Sequence, residues 1–320
     1  MKRTGIIVIL FLLTFVAYSQ VAAKSISVNQ FVEHPALDAV LKGIQDGLKE
    51  AGEDVTFNVH IAQANMATAT TIAQQMVGEQ PDLMIAIATP SAQACAQALK
   101  KAPAKMKRPF LFTAVTDPVS AGLVSNLEKP GGMTTGVSDM LPLKENVEMI
   151  LSFKPGIKKL GFLYNAGEAN SKVLVPKIKA LGEELGFVVV EATAAKTADV
   201  PQAAKSLVGK VDAVFIPTDN TIVSNLESVI KVGVDNKLPI FAADVDSVTR
   251  GAAAAIGFDY YQHGRQTAKM AQRILNGDKA GDTPVEFQEN LELHINKIFA
   301  KKMGVIPPEE LVKKAQKIHE

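Results

Sequence analysis

From Ser25 onward, short apolar runs alternate with amphipathic helical stretches, and this alternation limits the possible folds more than any other feature of the chain. Strands of this length separated by helices of ten residues or more join most simply as parallel neighbours linked by crossovers, an α/β arrangement. Ile26 to Val32 reads as the first strand. Leu37, Val40, Leu41, Ile44 and Leu48 then fall on one helical face, which Gly52 ends. Strands follow at Val55 to Ile61 and Leu83 to Ala88, with a helix capped by Asn65 between them. Thr89-Pro90-Ser91 opens the next helix with a capping hydroxyl and a first-turn proline. Phe110 to Thr113 and Thr134 to Ser138 complete this half, and Met140-Leu141-Pro142 reads as a crossing into a second one.

The cycle then restarts. A helix is expected from Leu143 to Phe153 and a strand from Lys159 to Tyr164, followed by a polar loop from Asn165 to Ser171. Pro176 either kinks the next helix or lies in its first turn. Further strands are expected at Phe187 to Glu191, Asp212 to Ile216 and Leu238 to Phe241, with helices starting at Asp199 and Asn220. Ala252 to Phe258 reads as the return crossing before a long helix from Asp259. Two Rossmann-like lobes with parallel sheets and a three-crossing hinge result. Their expected extents are 24–138 with 257–285, and 139–256 with 286–320.

The first 23 residues are expected to be removed. Lys2 and Arg3 precede an apolar run from Ile6 to Ala17, and Val21-Ala22-Ala23 supplies the small residues of a cleavage site. The run is shorter than the roughly 20 residues a membrane span needs, so the expectation is an exported, periplasmic protein. Losing Lys2 and Arg3 takes the 34 basic residues to 32 against 33 acidic ones. That balance speaks against a nucleic-acid or membrane-surface partner. The single cysteine, Cys95, rules out an intramolecular disulfide and reads as a small buried hydrophobe.

In open parallel sheets ligands bind beyond the carboxyl ends of the strands. The residues there are Glu33, Thr89, Ser91, Thr116, Asp117, Asn165, Asp219, Asn220, Thr221, Asp244, Asp246, Asp259 and Tyr260. Carboxylates and small hydroxyls dominate, with only His34 and Arg250 as nearby bases. A purely anionic ligand would meet more Arg and Lys. A zwitterion fits better: an aspartate takes the ammonium, and helix N–H groups with hydroxyls take the carboxylate. Asp and Asn after strands also serve as plain helix caps. Glu33-His34 resembles an acid–base pair but precedes Pro35 as a turn would. Five scattered histidines lack metal-ligand spacing, no serine sits in a nucleophile elbow, and Gly131-Gly132 has no phosphate-loop lysine after it. No cofactor, no metal and no catalytic residue is therefore expected.

The elements EHPALDA (Glu33 to Ala39), ATPSAQA (Ala88 to Ala94), TDPVSAGLV (Thr116 to Val124), PTDNTI (Pro217 to Ile222) and GFDYYQHGRQTA (Gly257 to Ala268) together resemble the ABC transporter substrate-binding protein family. The likeness includes its TrpX-like tryptophan- and tyrosine-binding members. It implies a type I periplasmic-binding-protein fold that closes on a ligand, most simply as a monomer, and presents the closed form to a membrane permease. Carried over residue by residue, it implies a cleft built from Thr89, Ser91, Thr116, Asp117, Asp219, Asn220, Thr221 and Asp244. Phe31, Tyr164, Tyr260 and Tyr261 are the candidates for an aromatic ligand's walls. A nucleoside, purine or other small polar solute is the alternative ligand, and a sensing module or an exported enzyme the alternative role.

Overall fold

A computed structural model describes residues 23–320, so all but the last residue of the expected signal segment lies outside the described residues. The first lobe contains β1 (Lys24–Gln30), α1 (Pro35–Glu50), β2 (Val55–Ile61), α2 (Met66–Glu79), β3 (Leu83–Ile87), α3 (Thr89–Lys101), β4 (Phe110–Val115) and β5 (Thr134–Ser138). The chain then crosses to α4 (Leu143–Phe153), β6 (Lys159–Tyr164), α5 (Ala169–Lys172), α6 (Leu174–Leu185), β7 (Val188–Thr193) and α7 (Val200–Lys205). The second lobe continues with β8 (Ala213–Ile216), α8 (Asn220–Val223), α9 (Leu226–Asn236), β9 (Ile240–Ala242), α10 (Asp246–Thr249) and β10 (Ala254–Gly257). It returns to the first lobe for α11 (Tyr260–Leu275) and β11 (Glu286–Phe287). It ends on the second with β12 (Glu292–Asn296), α12 (Lys297–Lys302), α13 (Glu309–Lys314) and β13 (Lys317–His319).

The first lobe's six strands run in the order β2-β1-β3-β4-β5-β11, all parallel. In the second lobe β7-β6-β8-β9 repeats the start of that order, again parallel. Strand order therefore reverses between β1 and β3 in one lobe and between β6 and β8 in the other, and a crevice opens at each reversal. β3 and β4 are buried along their whole length, as strands covered on both faces by helices must be. Phe162, Phe215 and Phe241 are fully buried in the second lobe, each contributing about 2 kcal/mol by leaving water.

α1 and α11 cross closely enough that only glycine fits at the contact. A Cβ on Gly43 would lie 2.2 Å from the Tyr261 carbonyl oxygen, and one on Gly264 would lie 2.2 Å from that of Val40. This clasp ties the middle of α1 to the first turns of the helix that follows the second crossing.

Two expectations change. β10 is not a crossing strand: it pairs antiparallel with β12 in a three-stranded sheet of the second lobe, so the return crossing follows Gly257. Glu286 and Phe287 pair with Val137 and Ser138, which keeps the chain in the first lobe two residues past the expected boundary. Of the two placements open for Pro176, the structure takes the first turn of α6. No helix among the described residues is long and apolar enough to cross a membrane.

Candidate ligand cleft

Asp219 bridges the second lobe's reversal point. It ends the loop after β8 and caps α8 in extended conformation, its Oδ1 accepting from the Ile222 N–H at 2.9 Å. Its Oδ2 accepts from the Asn165 N–H, just past β6, at 2.7 Å and from the Ser171 hydroxyl at 2.6 Å. The side chain is fully buried, and burial together with the Glu168 carboxylate holds its pKa well above the ordinary carboxyl range.

Glu168 fills the rest of the α8 N-terminus. Its Oε2 accepts from the backbone and side-chain nitrogens of Asn220 at 3.1 and 2.6 Å, and its Oε1 from the N–H and hydroxyl of Thr221 at 2.9 and 2.7 Å. The first N–H groups of a helix are its natural anion receptors. Here the chain's own carboxylates occupy them.

The equivalent junction in the first lobe is built differently. Ala88, at φ 79°, turns the chain from β3 into α3, a left-handed conformation that strains a non-glycine residue. Thr89 is buried, and its Oγ1 has no hydrogen-bond partner. Ser91, by contrast, donates to Asn29 Oδ1 at 2.9 Å and is spent internally.

Between the lobes lies about 340 Å³ of atom-free space, of which about 20 Å³ is wide enough for the centre of a water molecule. The walls are thus nearly in contact. Thr116, Asp139, Asp244 and Tyr260 form the hinge-side wall, with Ala36, Leu37, Ala114 and Val223 as apolar lining. The remaining lining is His34, Asn170, Thr218, Asp219 and Asn220, so no Lys or Arg lines the space. Asp139 accepts from the Tyr260 hydroxyl at 2.8 Å and from Thr116 Oγ1 at 3.3 Å, and burial pushes its pKa up to about 6. Asp244 accepts from the Ser247 N–H and hydroxyl at 2.8 and 2.6 Å; burial raises its pKa too. Burial, helped by the Arg250 charge, lowers His34 to about 4, so the ring stays neutral. Arg250 itself is bound in a fork to Glu227 and to the Val223 carbonyl.

A second, outer space between the lobes is lined by Phe31, Met66 and Pro90 on one side and by Asn165 and Lys196 on the other. Few side-chain hydrogen bonds join the lobes directly across the cleft among the described residues: Thr116 Oγ1 to Thr218 Oγ1 at 3.3 Å, and His34 of the first lobe with Asn220 of the second.

The structure thus brings Thr116, Asp219, Asn220, Asp244 and Tyr260 to the inner space and Asn165 and Phe31 to the outer one. Several expected residues are elsewhere. Glu33 is exposed and lines neither space. Asp117 closes its own turn on the Ser120 N–H and hydroxyl. Tyr164 packs on Phe162 and donates to Glu191 at 2.5 Å, behind the cleft, and Tyr261 reaches Asp46 on the far side of α1. Thr221 serves Glu168. Asp139, Glu168, Asn170 and Thr218 are additions that the sequence reading did not include. Among the described residues no group of three or more acidic, His or Cys side chains is placed to hold a metal.

Two α/β lobes that close strand ends over a polar, enclosed space define a solute-binding protein. Residues 25–319 match the family described as ABC transporter substrate binding protein, and the chain belongs to it. It is 40% identical over 277 residues to a tyrosine-binding protein of Clostridioides difficile, covering 85% of this chain and 79% of that one. An ABC domain from Streptococcus pneumonia in complex with L-Trp is similar in structure, with TM-score 0.87, 36% identity, and coverage of 93% and 100% of the two chains. The ligand-free, open structure of a substrate binding protein with adhesive properties from Clostridium difficile gives TM-score 0.67 at 37% identity, covering 92% and 99%. At nearly equal identity and coverage, the present structure superposes more fully on the L-Trp complex than on the ligand-free, open structure.

Proposed function

We propose that this protein is the periplasmic solute-binding component of an ABC importer. It takes a zwitterionic amino acid with an aromatic or branched apolar side chain, closes over it and delivers it to a membrane permease. No covalent chemistry is involved. The observation that carries this reading is the inner space: acidic and hydroxyl side chains converge on it from both lobes with no cationic residue in its walls. Such a space is complementary to an ammonium group, and the apolar strip from Leu37 to Val223 suits a hydrocarbon or aromatic side chain. The ligand carboxylate goes to the first turn of α3, where the free Thr89 hydroxyl and the helix N-terminus supply donors. Relatives that bind tyrosine and L-Trp support the same class.

Closure by ligand follows from the weakness of what holds the lobes together without it. The hydroxyl pair at 3.3 Å and the His34–Asn220 contact contribute about 1 kcal/mol each. A ligand touching both lobes shifts the open–closed equilibrium by its difference in affinity for the two states. The test is mass spectrometry of material released by denaturing the purified protein, followed by calorimetry with the compound found and with L-tyrosine, L-tryptophan and L-leucine. An amino acid bound with micromolar or tighter affinity, about −8 kcal/mol, is the expected result. Release of a nucleoside or sugar with no amino-acid binding would refute the reading.

A further inference from the structure

Asp139 is the least provided of the cleft's carboxylates. It follows β5 directly, its N–H bound to the Val115 carbonyl oxygen at 3.3 Å, so its position is fixed at the end of β4. A carboxylate offers about four acceptor sites, and Asp139 receives only the Tyr260 and Thr116 hydroxyls, the second over a long 3.3 Å. Asp219 receives three donors, two of them backbone N–H groups, and Asp244 has both oxygens engaged by Ser247. Asp139 has no cationic partner, although it is buried and lines the inner space.

The groups facing it from the packed elements sharpen the point. Tyr260 comes from the start of α11, Asp244 from beyond β9, Asp219 from the α8 cap and His34 from the cap of α1, all lining the same space, and Asp246 lies near enough to act on Tyr260. His34 is neutral and Arg250 is turned away onto Glu227. The Arg250 charge reaches Asp244 and His34 only through space, and among the described residues no Lys or Arg lines the space beside Asp139.

We propose that Asp139 receives the ligand's ammonium group and that Tyr260 is its positioning residue, which makes a primary ammonium the first requirement for binding. The inference rests on the amino-acid reading above. It places the cation-holding role at the first crossing and not at Asp219, whose oxygens are taken by Ile222, Asn165 and Ser171. An ammonium placed there completes the acceptor set of Asp139 and replaces the proton that burial favours.

Calorimetry on the full mature protein tests this with four probes: L-tyrosine, L-tryptophan, tyramine, which lacks the carboxylate, and 3-(4-hydroxyphenyl)propionate, which lacks the ammonium. Wild type should bind tyramine measurably and the propionate not at all. D139N should lose at least about tenfold in affinity for L-tyrosine, as loss of a charge-assisted bond implies. Wild-type affinity should fall as pH drops through about 6, because the carboxyl must be ionised to hold the cation, and D139N should lose that part of the pH dependence. Y260F should lose less affinity and move the inflection.

Melting of the ligand-free protein supplies an arm that needs no ligand. A carboxyl whose folded pKa is raised costs stability above that pKa and nothing well below its unfolded value. Ligand-free D139N should therefore melt at or above wild type at pH 7.5, and the gap should close toward pH 4. Unchanged L-tyrosine affinity in D139N, or tight binding of the propionate, overturns the assignment, as does a lower melting temperature for D139N at pH 7.5. Failure of wild type to bind any amino acid or amine defeats the broader reading instead, and the melting comparison then decides the inference alone.

Discussion

The strand-to-helix junctions at Ala88-Thr89 and Asp219-Asn220 occupy corresponding places in the two lobes, yet they are provisioned in opposite ways. At α8 two buried carboxylates, Asp219 and Glu168, take the N–H groups of Asn220, Thr221 and Ile222 along with nearby hydroxyl and amide donors. At α3 the backbone turns through a strained Ala88 and leaves the Thr89 hydroxyl without a partner. One junction is satisfied before any ligand arrives, and the other has capacity to spare. The difference teaches that a helix start at a strand end is a ligand site only where the chain has not already supplied the anion. On the proposed function, the second lobe presents a wall whose carboxylates are already engaged, the first lobe supplies donors for the ligand and the crossing supplies an acceptor.

The strongest way to break this comparison is Asp219→Ala. Removing the cap strands the Asn165 N–H, the Ile222 N–H and the Ser171 hydroxyl, and should destabilise the protein by about 3 kcal/mol, read from urea unfolding, with ligand binding lost as a consequence. Full stability with binding abolished would make Asp219 a ligand contact and erase the contrast. Glu168→Gln keeps the shape but weakens five charge-assisted contacts, and about 1–2 kcal/mol of stability should go. Thr89→Val should do the reverse, reducing amino-acid affinity roughly five- to tenfold, about 1 kcal/mol, with melting essentially unchanged. The smallest effect belongs to Thr218→Val, which removes the direct hydroxyl pair across the cleft. Closure should weaken by about 0.5 kcal/mol, visible as a slightly larger open population in scattering or in a distance measurement between lobes.

Much of the fold was legible because each strand is buried and each helix is striped. β2, β5, β6 and α4 occupy the spans expected from the apolar pattern. β4 runs two residues further than expected, through a left-handed Ala114 at a register shift against β5. The Ala114 N–H is held there by the buried His263 ring at 3.1 Å, a partner 149 residues away that no local pattern announces. β10 was misjudged for a similar reason: its small residues suit a crossing, but its antiparallel partner β12 lies some forty residues on.

The cleft was legible in outline and less so in assignment. Strand-end position selected Thr116, Asp219, Asn220, Asp244 and Tyr260, all of which line the inner space. The same criterion applied to β5 points to Asp139, which falls between the strand ending at Ser138 and the crossing read at Met140-Leu141-Pro142 and so drew no notice. Glu168 gave no comparable signal, since its targets lie on α8, more than fifty residues later. Tyr164 was taken for a cleft wall because it ends a strand, yet an odd or even step along a strand decides which face a side chain takes. Its ring went to Phe162 and its hydroxyl to Glu191.

On the proposed function, an amino acid closes two lobes that few direct contacts otherwise hold together. Small-angle scattering of the ligand-stripped protein, before and after saturation with the amino acid it binds, measures this most directly. A fall in radius of gyration on binding, to the value calculated from the closed structure, is the predicted result. Saturable binding with an unchanged radius of gyration would contradict it.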